Sequence, residues 1–186
     1  MPWKGWPTSA NGAGDPFRFC DDPRSSNEPV KERGVMSKHQ EQIIAAAKGK
    51  VDEQLLAAAW AKPRGAGTAA AGGGLVVSEI GARWAGKQRK GGDAIGIKLG
   101  NPGAVAVTAT SLVTMEVGVS MGGAIKEVKE VLSTVPLAEI DTIEVKRMGL
   151  TGVMEITAGD SSCKLEGKVN DMRELAEVFE RAKAAA

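Results

Sequence analysis

The sequence predicts an α+β fold in which a small antiparallel β-roll is closed by a C-terminal helix. Over roughly the last ninety residues, short apolar runs rich in β-branched side chains alternate with turns of Gly, Pro, Asn and Asp. In the final segment, Met172, Leu175 and Phe179 recur at the spacing of one helix face. Asp171 and Glu174 form a capping-box-like pair, which predicts that this helix begins close to residue 171.

The strands are predicted from runs that end at turn residues. Residues 104–117 contain two such runs around a turn at 109–111, and further strands are expected over 135–145, 153–158 and 163–169. The stretch before Pro136 is ambiguous, because its apolar residues recur nearer to a helical period, but its β-branched end favours a strand. The expected core comprises Val105, Val107, Leu112, Ile140, Ile143, Val145, Ile156, Leu165, Leu175 and Phe179.

Composition argues against several classes of protein. Aromatic residues make up 4% of the 186 residues and Tyr is absent, so platforms for stacking nucleic-acid bases are scarce. The two cysteines, Cys20 and Cys163, lie far apart and imply neither a disulfide framework nor a metal site. No apolar run is long enough to span a membrane, and no secretory leader opens the chain. We therefore expect a cytoplasmic protein that does not bind nucleic acid.

The formal net charge of +1 conceals an asymmetry along the chain. Residues 1–35 carry five basic and five acidic side chains, residues 36–92 nine and four, and residues 93–186 ten and fourteen. The basic middle part can dock on the acidic part or face an anionic partner such as a phospholipid surface. Solvated faces without a partner are the third interpretation.

Residues 1–35 mix Pro, Gly, Ser and balanced charge without an apolar period, which predicts a disordered tail. Lys31 and Glu32 can be encoded by AAG-GAG, a purine-rich ribosome-binding sequence at a suitable distance before Met36. We hypothesise that translation begins at Met36, in which case the tail is not made naturally.

A helix is predicted over residues 36–62. Ser37 and Gln40 form a capping-box pair, apolar residues recur at helical spacing after it, and Pro63 and Gly65 end it. Gly49 interrupts this pattern, so two shorter helices are an alternative.

Residues 63–92 form a Gly/Ala-rich basic segment with three interpretations. It is a flexible linker, a small-residue surface for helix packing, or an interfacial segment that contacts lipid. The last interpretation rests on an aromatic residue among cations, a mixture that suits lipid headgroups. The candidate contacts with an anionic surface are Arg83, Trp84, Lys87, Arg89 and Lys90.

Residues 81–87 also match the P-loop pattern G-x-x-x-x-G-K, whose amides cradle phosphates. Position 88 is Gln where Ser or Thr should hold magnesium, so we interpret the match as chance.

His39 is the only histidine and is expected to be solvated, while Cys163 is expected to be a small buried residue. Several carboxylates alternate with apolar residues, which indicates that they lie on the solvent-exposed face of strands. The sequence therefore predicts no enzyme, no cofactor and no metal.

The hairpin AVAVTATSLVTMEV, followed by VPLAEIDTIEV, VMEITAGDSSCKLEG and the final helix, resembles the bacterial pleckstrin-homology-like (PH-like) domains, which are close to GRAM-type domains. The resemblance covers residues 93–183, about half the chain, and predicts a domain over residues 93–186. It implies a seven-stranded, bent antiparallel β-barrel that is closed by the C-terminal helix and serves as a non-enzymatic platform. Phosphoinositide-binding members carry basic residues in and after the first hairpin loop. The corresponding residues 98–103 offer Lys98 alone, so no inositol-phosphate site is carried over.

Three functions follow as hypotheses. The first is a PH-like module for a protein partner or for peripheral attachment to an anionic membrane at its inner face. The second is a structural protein that forms homo-oligomers through the N-terminal helix and the Gly-rich segment. The third is a nucleotide-binding enzyme with a degenerate P-loop. Fold resemblance and charge asymmetry favour the first.

Overall fold

The computed structural model describes residues 36–66, 75–120, 124–149 and 151–186. For residues 75–80 it describes the backbone only. The tail of residues 1–35, predicted to be disordered, lies outside the described residues, as does the Gly/Ala-rich stretch of residues 67–74.

Three helices and seven strands make up the described part of the chain. The helices are α1 (Lys38–Ala47), α2 (Leu75–Ala94) and α3 (Val169–Ala185). The strands are β1 (Ala57–Pro63), β2 (Gly103–Val107), β3 (Ser111–Val119), β4 (Ile125–Pro136), β5 (Thr142–Met148), β6 (Thr151–Ala158) and β7 (Ser161–Gly167). A 3-10 turn, Leu137–Glu139, stands where the start of the strand over 135–145 was predicted.

The seven strands form one antiparallel sheet in the order β4-β3-β2-β1-β7-β6-β5. The predicted α+β class is confirmed. The sheet is not closed into a barrel, since its outermost strands, β4 and β5, do not pair with each other in the described residues.

The helix predicted over residues 36–62 is correct only in its first half. Helix α1 ends at Ala47, and Gly49 follows it with a φ of +82°, a left-handed conformation that glycine adopts without strain. Residues 57–63 form strand β1 in the middle of the sheet, between β2 and β7. The sheet therefore includes a strand that lies outside the domain predicted over residues 93–186.

Strand β1 is rich in alanine because both of its faces are covered. On one face, which we call the inner face, Ala57 and Ala59 belong to the core that packs against α3. On the other, the outer face, Ala58 packs with Ile43 and Ala47 of α1. Small side chains let the two helices approach the sheet, and burial on both faces overrides the helix propensity of alanine.

The predicted core is confirmed on the inner face. Phe179 and Leu175 of α3 are fully buried there, together with Leu165 of β7 at 1% exposure. The other predicted members are buried as well, except Val145, which is partly buried and packs against the same cluster.

The bulges of strand β4 explain why the apolar residues in its sequence recur nearer to a helical period. On β3, the residues Val119, Val117 and Met115 are two apart, whereas their partners on β4, Ile125, Val128 and Val131, are three apart. Register irregularities between these pairs insert an extra β4 residue each time. A strand with such bulges buries about every third residue and so imitates a helical period, and the predicted strand is confirmed.

The two capping predictions have different outcomes. At α1, Ser37 Oγ accepts from the Gln40 N–H and Gln40 Oε1 accepts from the Ser37 N–H, each at 3.3 Å, so the predicted box is confirmed. Helix α3 begins at Val169, two residues before the predicted start, and its N-cap Lys168 makes no side-chain cap bond. Asp171 is instead 2% exposed and lies 3.6 Å from the Lys168 ammonium.

Candidate functional site

Helix α2 packs on the part of strand β7 that extends beyond the last residue of β1. The last β1–β7 pair is Pro63 with Leu165, so the β7 residues before Leu165 have no β1 partner. Gln88 of α2 is 9% exposed, and its Oε1 accepts a hydrogen bond of 2.6 Å from the Lys164 N–H. One side chain of the helix thereby satisfies a backbone donor that β1 leaves unpaired.

A glycine allows the helix to approach the strand closely. A Cβ placed on Gly91 would collide with the Ser162 carbonyl oxygen of β7. The side of α2 that carries Ala85, Gln88 and Gly92 is buried. The segment predicted as linker, packing surface or lipid contact is therefore, from residue 75 to residue 94, a helix that rests on the sheet.

The opposite side of α2 is cationic. At about 100° per residue, Arg83, Lys87 and Lys90 project within an arc of about 60°, directly away from the buried side. All three side chains are exposed. Arg89 is also exposed but projects from a flank of the helix, so the structure brings three of the four predicted cations onto one face.

Trp84 lies on the other flank of this face and is 50% exposed. The guanidinium of Arg64, just after β1, lies 5.2 Å from the centre of the Trp84 ring, within the range of a cation–π contact. Gly65 makes room for this contact, since a Cβ there would approach the Trp84 Cβ at 2.9 Å.

The four predicted cations of α2 make no ion pair with the described residues. Cations on the strands of the sheet do form ion pairs: Lys164 lies 2.9 Å from Glu155, and Lys129 lies 3.0 Å from Glu116. Residues 81–92 contain no Asp or Glu. The positive charge of α2 is thus not neutralised by the acidic strands of residues 93–186 in the described part of the chain.

The P-loop-like segment lies inside α2, so its backbone amides are in a helix and not in a loop around a phosphate. Lys87 projects into solvent, and Gln88, which replaces the Ser or Thr of the pattern, bonds to strand β7. This geometry agrees with a chance match.

The remaining candidates for chemistry lie apart from one another. His39 is exposed and lines a groove of about 450 Å³ together with Trp60 and Lys62. Cys163 is buried, and burial, followed by the charge of Glu155, raises the pKa of its thiol to about 12. Five carboxylates are exposed, as predicted for the solvent-exposed face of strands: Glu127, Glu130, Glu139, Asp141 and Glu144. Within the described ranges, no group of three His, Cys, Asp or Glu side chains is placed to hold a metal ion.

Lys98 lies on the connection between α2 and β2, and its backbone is fixed by two hydroxyl groups. Thr114 Oγ1 donates to the Lys98 carbonyl at 2.7 Å, while the Lys98 N–H donates to Ser133 Oγ at 3.1 Å. The Lys98 side chain is exposed.

Sequence reasoning missed Arg64 and Lys62, because it placed residues 57–62 in a helix. The signal was present in the alternation of Trp60, Lys62 and Arg64 with small or buried residues, which is the period of a strand. With β1 assigned, the connection from β1 to β2 spans residues 64–102 and contains all of α2.

None of the helices in the described residues is both long and apolar enough to cross a membrane. A scan against protein-family models finds no match, and a search of the curated proteins finds no similar sequence.

Proposed function

We propose that this chain is a non-enzymatic, PH-like binding module that attaches peripherally to anionic membrane surfaces through the exposed face of α2. The observation that carries the proposal is the set of cations Arg83, Lys87 and Lys90 on the side of α2 that points away from the sheet, where they make no ion pair with any described side chain. Arg89 and Trp84 extend this surface on its two flanks.

The magnitudes are sufficient for reversible attachment. Each Lys or Arg close to an anionic bilayer contributes about 1 kcal/mol at low salt, and an exposed Trp adds the affinity of its ring for the headgroup region. Four cations and Trp84 together therefore supply a few kcal/mol, which is enough for binding that salt reverses.

The strand order supports the PH-like part of the proposal. Two antiparallel meanders, β1 to β4 and β5 to β7, are joined by the pairing of β1 with β7, and a C-terminal helix packs on the inner face. Seven antiparallel strands followed by a helix are what the resemblance leads us to expect. The resemblance also places the basic residues of phosphoinositide-binding members in and after the first hairpin loop. Once residues 57–63 are the first strand, that connection is residues 64–102, and it carries Arg64, Lys98 and the four cations of α2.

The oligomeric alternative receives less support. That alternative requires the apolar side of the N-terminal helix to form a contact between copies of the chain. In the structure, Ile43 and Ala47 of α1 are 0% and 1% exposed because they pack on the outer face of the same chain's sheet. That surface is therefore already occupied within one copy.

Co-sedimentation with vesicles tests the proposal. The chain is mixed with phosphatidylcholine vesicles, with or without a substantial fraction of phosphatidylserine, at low and at high salt. We expect it to sediment with the anionic vesicles at low salt and to be released at high salt, since the Debye length falls to about 3 Å at 1 M. Equal sedimentation with neutral vesicles, or none with anionic vesicles, would contradict the proposal.

A further inference from the structure

We infer that the end of β5 is a second membrane contact, in which Met148 and Trp84 form one apolar patch around the guanidinium of Arg64. This inference rests on the proposed function, because it adds a contact to the same membrane-facing surface. We call this set of three side chains the Arg64 patch.

The geometry of Arg64 joins two distant parts of the chain. Its guanidinium lies 5.2 Å from the centre of the Trp84 ring on α2, and its Nη2 donates to Met148 Sδ at 3.5 Å. The same side chain is placed by Glu166 of β7, whose Oε1 lies 3.7 Å from Arg64 Nε. Helix α2 and the end of β5 therefore meet at one side chain.

Both apolar members of the patch are unusually exposed. In the described part of the chain, four large hydrophobic residues are exposed: Leu56, Trp84, Val119 and Met148. Trp84 and Met148 are each 50% exposed, and both contact Arg64. Two exposed apolar side chains held beside a cation suit the boundary between headgroups and acyl chains.

Charge identifies an anionic bilayer as the occupant. The patch adjoins the cationic face of α2, and the end of β5 carries the exposed Arg147, whose Nε donates to the Gly149 carbonyl at 3.1 Å. Among the described residues, Arg64 forms an ion pair with the carboxylate of Glu166 alone. An apolar protein partner would not need this surplus of cations, whereas an anionic bilayer supplies both the acyl region and the counter-charge.

The two contacts have different roles. The cations of α2 attract the protein over a distance of about a Debye length, so they set the salt dependence. The Arg64 patch enters the interface after contact, and its contribution depends on buried apolar area and hardly on salt. Arg64 is a positioning residue that holds Trp84 and Met148 side by side.

An environment-sensitive fluorophore tests where the chain meets the bilayer. The full-length chain with Cys20→Ser and Met148→Cys is labelled with a thiol-reactive NBD dye. Cys163 is buried and its thiol pKa is raised to about 12, so it stays unlabelled at neutral pH. The matched control carries Cys20→Ser and Leu56→Cys. Leu56 is 44% exposed and lies just before β1, whereas Arg64 lies just after it, about 25 Å away along the strand.

We expect NBD emission to shift to the blue and to rise at position 148 when phosphatidylserine-containing vesicles are added, while position 56 stays unchanged. In unlabelled protein, Met148→Gln should weaken vesicle binding about fivefold with an unaltered salt dependence, and Leu56→Gln should not weaken it.

Sedimentation of the unmodified chain separates the two ways to fail. If it sediments with anionic vesicles but the fluorophore at position 148 does not respond, or responds no more than the one at position 56, the Arg64 patch is wrong and the proposed function stands. If the unmodified chain does not sediment, the proposed function and the inference fall together.

Discussion

Single side chains decide what several suggestive motifs do in this protein. Gln88 occupies the position at which a P-loop needs Ser or Thr, and its amide instead binds the Lys164 N–H of β7. Cys163 faces the core, where burial raises its pKa and leaves it without thiolate character at neutral pH. The sequence could show that both residues lack the usual chemistry of their motifs. It could not show that Gln88 fixes a helix to a strand, because that contact joins residues 76 positions apart.

Glu155 yields a prediction about pH. Its carboxylate accepts from Lys164 Nζ at 2.9 Å and from Ser162 Oγ at 3.2 Å, and the Lys164 hydrogen bond is the main cause that lowers its pKa. A carboxyl whose pKa is lower in the folded state stabilises the fold above its unfolded pKa, and that contribution is lost as the pH falls through the folded pKa. We expect Glu155→Gln to reduce the free energy of unfolding by about 0.5–1 kcal/mol at neutral pH.

The difference between wild type and Glu155→Gln should disappear once the pH is well below 4.5, the ordinary glutamate pKa. Urea unfolding at neutral and at acidic pH measures it. Glu144→Gln is the matched control, because Glu144 pairs across the sheet with Glu155 and its own ion pair with Lys146 is 60–71% exposed. A destabilisation of Glu155→Gln that persists unchanged in acid would argue against the ion pair as its cause.

At the scale of elements, the sequence predicts best where the turn residues and the apolar pattern indicate the same element. The hairpin of β2 and β3 and helix α3 match their predicted positions to within a few residues, because turn residues and apolar period coincide. Strand β1 was missed since its alanines favour a helix, and only burial between α1 and α3 makes it a strand. Helix α2 has three interpretations in the sequence because its glycines obscure its helical period, and Gly91 is needed for the close approach to β7.

Two glycines of α2 give a matched prediction about its docking. A Cβ on Gly86 meets nothing within 4 Å, so Gly86→Ala should stabilise the chain by about 0.5–1 kcal/mol through helix propensity. A Cβ on Gly91 would collide with the Ser162 carbonyl, so Gly91→Ala should destabilise it by about 1–3 kcal/mol despite the same gain in propensity. Denaturant unfolding of both variants measures the difference, and equal stabilisation by both would mean that α2 does not rest on β7.

At the scale of the whole molecule, the central position of β1 determines which part of the chain can fold. The sequence resemblance begins at about residue 93, yet the sheet needs residues 57–63 to join β2 to β7. Without them, three strands on one side and three on the other have no common partner. The apolar inner and outer faces would also lose the alanines on which α3 and α1 pack.

We therefore expect residues 36–186 to unfold cooperatively in urea and residues 93–186 alone to show no cooperative transition. Circular dichroism during the titration compares the two fragments at equal concentration. A cooperative, β-rich transition of residues 93–186 would show that the sequence boundary is also the folding boundary, and that β1 is an accessory strand.

The central claim is that the position of the α2 cations, and not the net charge of the chain, attaches the protein to anionic membranes. Two variants carry the same change: Arg83, Lys87, Arg89 and Lys90→Gln in one, and the exposed Lys38, Lys126, Arg173 and Arg181→Gln in the other. Each takes the formal net charge from +1 to −3 by removing four positive charges. With phosphatidylserine-containing vesicles at low salt, the first variant should lose sedimentation and keep its stability, while the second should still sediment. Equal losses by both variants would contradict the claim, since they would reduce the interaction to overall charge.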